Sequence, residues 1–277
     1  MTAHSLSPDL LEALENRAHQ HRMKPDELLR YLLDQTPPSG NLYVSAPVNA
    51  LVEGLYREDT TISDILERGD FGLGTFNDLD GEMVVLDGSV FQLRSDGHCY
   101  EVTPDTRTPF ACVTRFEPWS TEVVDRPLDH AGLLSLLEKA IPSPNMVYAI
   151  RIDGRFDYVR TRSVPRQDAY RPLVEVTREQ PEYALENVEG SMAGFWTPDF
   201  MKSVAVPGLH LHFVDTARQH GGHLLEACPH GITIQVQHLP EVRLGLPMTL
   251  DYLVADFNRD TAEDLKEAEH SAPKRNP

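Results

Sequence analysis

A chain of 277 residues with 25 Lys and Arg against 43 Asp and Glu carries a formal charge of −18, which repels phosphate backbones and argues against nucleic acid as a partner. That length buries a sizeable core without staples, and Cys99, Cys112 and Cys228 form neither a CxxC pair nor an even disulfide framework. The opening MTAHSLSPDLLEALENRAHQ has no basic region followed by an apolar run, and no later stretch approaches membrane-spanning length, so a cytoplasmic protein with no membrane partner is expected.

From the start of the chain, Ser7-Pro8-Asp9 marks a helix start, Leu10, Leu11, Leu14 and Ala18 recur at helical spacing, and Pro25-Asp26-Glu27 opens a second apolar-periodic run. A helical hairpin over residues 7–35 follows. Thr36-Pro37-Pro38-Ser39-Gly40 breaks helix and reads as a linker. The first 40 residues hold no clustered chemical groups, so they are expected to be a packing or dimer-contact appendage.

Two short helices are expected over Val48 to Tyr56 and Thr61 to Arg68, the second ended by Gly69 in the usual C-terminal position. Strands then take over. Asp87-Gly88, Asp96-Gly97 and Asp153-Gly154 sit between the runs MVVL, VFQL, CYEV, VYAIRI and RFDYV, a strong hairpin signal that implies a mostly antiparallel sheet. A helix from about Ala131 to Ala140, closed by Pro142 and Pro144, separates these strands from candidates at Leu209 to Val214, His223 to Cys228, Ile232 to Gln237 and Val242 to Leu246. The fold class is therefore α+β, with two sheet-containing halves of antiparallel or mixed strands, short helices and an N-terminal helical hairpin. The expected divisions are 1–40, 41–175 and 176–277, the polar stretch Val176 to Gly190 lying at the second boundary.

Five of the twelve histidines fall between residues 210 and 230, in GLHLHFVDTARQHGGHLLEACPH. Alternation along a strand projects His210 and His212 from one face, with Leu209, Leu211 and Phe213 on the other. Gly221-Gly222 can turn the chain so that His223 enters an adjacent strand facing the pair. Three imidazoles with open positions opposite them form a catalytic rather than a structural arrangement for zinc, although ligand type alone leaves nickel, cobalt, iron and manganese open. His220 and His230 are expected at the surface or behind the ligands, and His98, His130 and His238 as structural residues.

This segment resembles the zinc-binding signature of bacterial acetolactate decarboxylases, with the same His-Leu-His step and the third His eleven positions on. GDFGLGTFNDLDGEMVVLDG at residues 69–88, YAIRIDGRFDYVRTRSVPRQ at 148–167 and GFWTPDFMKSVAVPGLHLHF at 194–213 are similar to that family's blocks, in its order. The similarity covers about residues 40–270 and leaves out the N-terminal hairpin. It implies decarboxylation of 2-acetolactate to acetoin, a metal held by His210, His212 and His223, and active-site roles for Glu82, Arg162 and Glu269. Without the resemblance, Glu82 is an exposed strand-end charge, Glu269 a solvated charge on a helix capped by Asp260 and Glu263, and Arg160 serves as well as Arg162. A homodimer is the expected assembly.

Acetolactate is a 2-hydroxy-3-keto acid, so losing carbon dioxide places charge on the neighbouring ketone oxygen. A divalent metal chelating the ketone and hydroxyl oxygens stabilises the resulting enediolate as a Lewis acid. Arg162 then orients the substrate carboxylate, and Glu82 or Glu269 manages the proton. Two rival readings are a cupin-like metal-dependent oxygenase or isomerase and a non-enzymatic metal-binding sensor. Cupins place a glutamate soon after the HxH and their further histidine much later, whereas here Asp215 is the nearest acid and His223 comes early.

Overall fold

A computed structural model describes residues 8–20, 23–33 and 40–269. Helices α1 (Pro8–Gln20) and α2 (Pro25–Leu33) pack as the expected hairpin, with Ala18 and Leu28 buried. The expected linker lies almost wholly outside the described residues.

The first sheet begins with β1 (Asn41–Val44), and the helices α3 (Val48–Val52) and α4 (Ile62–Arg68) follow it. Thr61 and Asp64 start α4 with a reciprocal capping box, the Asp64 N–H donating to Thr61 Oγ1 and the Thr61 N–H to the Asp64 carboxylate. The helix stops at Gly69 as expected, but Gly69 is extended rather than left-handed. Glycine is needed there because a Cβ would stand 2.6 Å from the Thr114 backbone nitrogen.

Strands β2 (Phe71–Thr75), β3 (Glu82–Leu86), β4 (Ser89–Leu93), β5 (Cys99–Glu101) and β6 (Ala111–Thr114) complete the early part of this sheet. Asp87 and Gly88, both at positive φ, form the β3–β4 turn as their sequence predicts. The second sheet takes β7 (Ser120–Pro127), β8 (Val147–Arg162), β9 (Glu182–Thr197), β10 (Gly208–Asp215) and β11 (Gly221–Leu239), with α5 (His130–Ala140) after β7 and α6 (Leu173–Thr177) after β8. Then β12 (Glu241–Leu244) returns to the first sheet, parallel to β1, and α7 (Leu250–Val254) and α8 (Ala262–Glu269) end the described chain.

The strand orders are β12-β1-β6-β2-β3-β4-β5 and β10-β9-β8-β11-β7. Because β10 also pairs with β11, strands β8, β9, β10 and β11 close into a ring of pairings. Two expectations are corrected here. Asp153-Gly154 is no hairpin: β8 runs straight through it, and Gly154 (φ 150°) sits at a bulge where β11 slips register between Pro229 and Ile232. A Cβ on Gly154 would lie 2.3 Å from the Gly231 carbonyl oxygen, so the glycine serves close strand approach, not a turn. Nor do the sheets change over near residue 175, since β8 and β9 on either side of it pair along their length. The crossing falls between β6 and β7.

Alternating side chains serve two cores. Leu42, Phe71, Leu73, Val84, Ala149, Ala193, Phe195 and Val214 gather from both sheets into one buried cluster. Ile150, Ile152, Phe156, Met192, Leu211 and Phe213 form another with Leu133 and Leu137 of α5. Each large side chain so buried contributes about 1.5–3 kcal/mol, which fixes the face each β10 residue presents. Phe213 and Leu211 take the α5 side, leaving His210 and His212 toward the first sheet.

Candidate active site

His212 of β10 and His223 of β11 are direct cross-strand partners, and His223 is in turn paired with Arg162 at the end of β8. Residues directly opposite across antiparallel strands share a face, so one lateral row carries two imidazoles and a guanidinium. His210 joins them two residues before His212. The ring nitrogens converge: His210 Nε2 lies 3.1 Å from His212 Nε2 and 3.2 Å from His223 Nδ1.

Tautomer chemistry shows what that convergence fits. His212 Nδ1 lies 2.8 Å from the Met83 carbonyl oxygen, which only accepts, so Nδ1 carries the proton and Nε2 presents a lone pair to the cluster. Burial first, then His210 and Arg162, push the His212 pKa well below its usual value and keep the ring neutral. Nitrogens 3.1–3.2 Å apart match ligands about 2.0–2.1 Å from one shared ion. The three histidines are therefore able to hold a metal ion.

Two carboxylates border the nitrogens. Glu82 Oε2 lies 3.6 Å from His212 Nε2, and Glu269 Oε2 lies 3.7 Å from His210 Nε2, His223 Nδ1 and Arg162 Nη2 alike. Arg162, 3 % exposed, also donates from Nη2 to the Glu269 backbone carbonyl at 3.2 Å. Glu82 is buried and its pKa is pushed up to about 8, chiefly by burial and by Glu269, with Arg162 opposing. Both glutamates thus leave the solvent-exposed positions that local pattern alone assigns them. Arg160, the other arginine the pattern allows, pairs instead with Glu182 and Glu226.

Different parts of the chain deliver these groups. Glu82 follows a constrained turn in which Asp78 and Leu79 both have positive φ (65° and 54°), Arg57 and Arg166 holding the Asp78 carboxylate. Glu269 arrives on α8, which packs against α6 and is docked through a bond from Thr261 to Asn49. The Thr261 carbonyl accepts the first helical bond of α8, from the Leu265 N–H, and Asp260, the expected cap, lies one residue earlier and accepts from the Ala262 N–H. The resulting cavity adds Leu51, Leu79, Phe110, Val164 and Val206 as apolar walls, and Thr75, Thr177 and Gln180 as polar ones. Sequence pattern misses these last three. Thr75 is the cross-strand partner of Glu82, a relation visible only once the β2–β3 register is known.

The other five histidines singled out in the sequence lie outside this cluster. His220 and His230 bind Asp215 and Asp157, His130 accepts from the Ala227 N–H, His238 stacks on Tyr148, and His98 lies near His220. Cys99, Cys112 and Cys228 are free thiols.

The alpha-acetolactate decarboxylase family model matches residues 42–259, so Glu269 enters the site by geometry beyond the matched span. Among similar proteins, the alpha-acetolactate decarboxylase of Methylococcus capsulatus is 43% identical over 230 residues, covering 83% of this chain and 88% of that one. The Bacillus subtilis alpha-acetolactate decarboxylase is 38% identical over 236 residues, covering 84% and 92%. A crystal structure of the Bacillus subtilis strain 168 enzyme superposes with a TM-score of 0.80 at 37% identity, over 83% of this chain and 99% of that one. With the matched span covering both sheets and all three clustered histidines, this chain belongs to the alpha-acetolactate decarboxylase family.

Proposed function

We propose that this chain decarboxylates 2-acetolactate to acetoin and carbon dioxide at one divalent ion, zinc, held by His210, His212 and His223. The observation that carries the reading is the meeting of three imidazole nitrogens, one buried arginine and two carboxylates in a single cavity. Such a cluster of buried ionisable groups is costly unless something binds among them.

The bound ion supplies Lewis-acid stabilisation of the negative charge that develops on the ketone oxygen. Arg162 offers a planar fork of donors matched to a carboxylate, and its rigid place at the end of β8 fixes the bond to be broken relative to the carbonyl plane. As that carbon–carbon bond breaks, its electron pair moves toward the ketone and carbon dioxide leaves. The carbon that lost it takes up one proton, so the anionic substrate gives neutral acetoin. Glu82 and Glu269 flank the nitrogen donors, where a carboxyl group holds and delivers that proton. The buried Met83–His212 contact keeps the ligand's donor atom aimed inward throughout.

A homodimer is proposed through the edge of the first sheet. There β12 is exposed, and Leu244 at its end is followed in the chain by the exposed apolar side chains Leu246, Met248, Leu250 and Val254. A cytoplasmic location fits the three free thiols. No helix among the described residues is long and apolar enough to cross a membrane.

The direct test incubates purified protein with racemic acetolactate. Acetoin formation that a chelator abolishes and added zinc restores supports the reading. Metal-loaded, folded protein that yields no acetoin above the spontaneous rate overturns it.

A further inference from the structure

We infer that Gln180 is a substrate-binding residue whose side-chain oxygen accepts a hydrogen bond from the C2 hydroxyl of the substrate. This rests on the reading of the cavity as a site for a 2-hydroxy-3-keto acid.

Gln180 lies between α6 and β9, and the chain around it is tied to the strand that carries Arg162. The Ser163 N–H donates to the Pro181 carbonyl at 3.3 Å, and Glu182 is the register partner of Arg162. Proline next to Gln180 removes one backbone freedom there. The side chain, 6 % exposed, lines the cavity with Arg162, Thr177, His210, His223 and Glu269. Its Oε1 is buried and has no hydrogen-bond partner among the described residues.

A buried amide oxygen without a donor is an uncommon and unfavourable arrangement, because it has lost water and gained nothing. In a closed core, packing selects an apolar residue instead. At the wall of a ligand cavity the deficit is relieved when a ligand brings the donor. The substrate proposed for this cavity has a carboxylate and a ketone, which only accept, and a single O–H. Donor and acceptor therefore match in one way: the substrate's hydroxyl hydrogen meets Gln180 Oε1, while its carboxylate goes to Arg162. The pairing also gives selectivity, since an analogue lacking the hydroxyl leaves Oε1 unsatisfied.

The test compares binding of 2-hydroxy-2-methylpropanoate with that of 2,2-dimethylpropanoate, which replaces the hydroxyl by a methyl group of similar size. Calorimetry on the metal-loaded parent and on Gln180→Met, both checked for metal content and melting temperature, reads binding without turnover. The hydroxy acid should weaken about tenfold in the variant while the dimethyl acid stays unchanged. With acetolactate, KM should rise about tenfold with kcat within about twofold, because this bond is present in ground and transition states alike. Gln180→Asn, which withdraws the oxygen by one methylene, gives the same comparison if the methionine variant does not fold. Equal weakening of both acids, or no weakening of either, overturns the assignment. A parent protein that binds the hydroxy acid through Gln180 yet makes no acetoin refutes the decarboxylase reading alone.

Discussion

The Met83 carbonyl oxygen accepts a hydrogen bond from His212 Nδ1 at 2.8 Å, so a backbone group of the first sheet fixes the tautomer of a histidine on the second. The next residue before Met83 is Glu82, whose carboxylate lies 3.6 Å from Nε2 of the same histidine. One strand start therefore both orients the donor and borders it with charge, which places the cluster where the two sheets meet.

Metal content should follow the three histidines. Protein purified without added metal is expected to hold about one divalent ion per chain, and His210→Ala, His212→Ala and His223→Ala should each lose most of it, because an open three-ligand site loses its chelation with any member. Elemental analysis decides this. Full retention in any two variants sinks the site.

Arg162→Lys should keep the metal and lose activity by roughly 10²-fold or more, since lysine retains charge but not the two-pronged planar fit. Steady-state rates paired with metal analysis separate this from a folding defect.

Glu82→Gln and Glu269→Gln should also retain metal while slowing turnover, by roughly 10²-fold for the residue that delivers the proton. Chiral chromatography of the acetoin assigns that role. The variant that lowers enantiomeric purity has lost the facial proton donor, and parental behaviour in rate and handedness from both removes the two residues from the mechanism.

Gly222→Ala tests the row His212–His223–Arg162. Gly222 has φ 143°, and a Cβ there would lie 2.4 Å from the Arg162 carbonyl oxygen. Alanine should part β11 from β8 beside His223, costing about 1–3 kcal/mol of stability and reducing metal occupancy. Denaturant titration with metal analysis checks it; a variant of parental stability and occupancy shows that the row tolerates the shift.

Removing residues 1–38 should leave activity per folded chain intact, because no described residue of α1 or α2 lines the cavity. The melting temperature should fall, since the hairpin buries Ala18 and Leu28. A truncated protein that is folded and metal-loaded but inactive would give the hairpin a part in the site.

The histidine cluster was legible in the sequence because its causes are local. Strand alternation puts His210 and His212 on one side and Leu211 and Phe213 on the other, and two glycines allow the return to His223. The N-terminal hairpin and the Asp87-Gly88 turn are local in the same way. Glu82, Arg162 and Glu269 could be named only through family resemblance: they lie on three elements far apart in sequence, and nothing near any of them records the others. Their burial, the pairing of Thr75 with Glu82 and the place of Gln180 in the cavity wall follow from sheet register and the docking of α8 on α6, which are long-range packing outcomes. Gly154 shows the limit most sharply. An Asp-Gly pair carries the same local freedom in a turn as in a bulge, and only the strand beside it, whose Gly231 carbonyl comes too close for any Cβ, decided that β8 runs on.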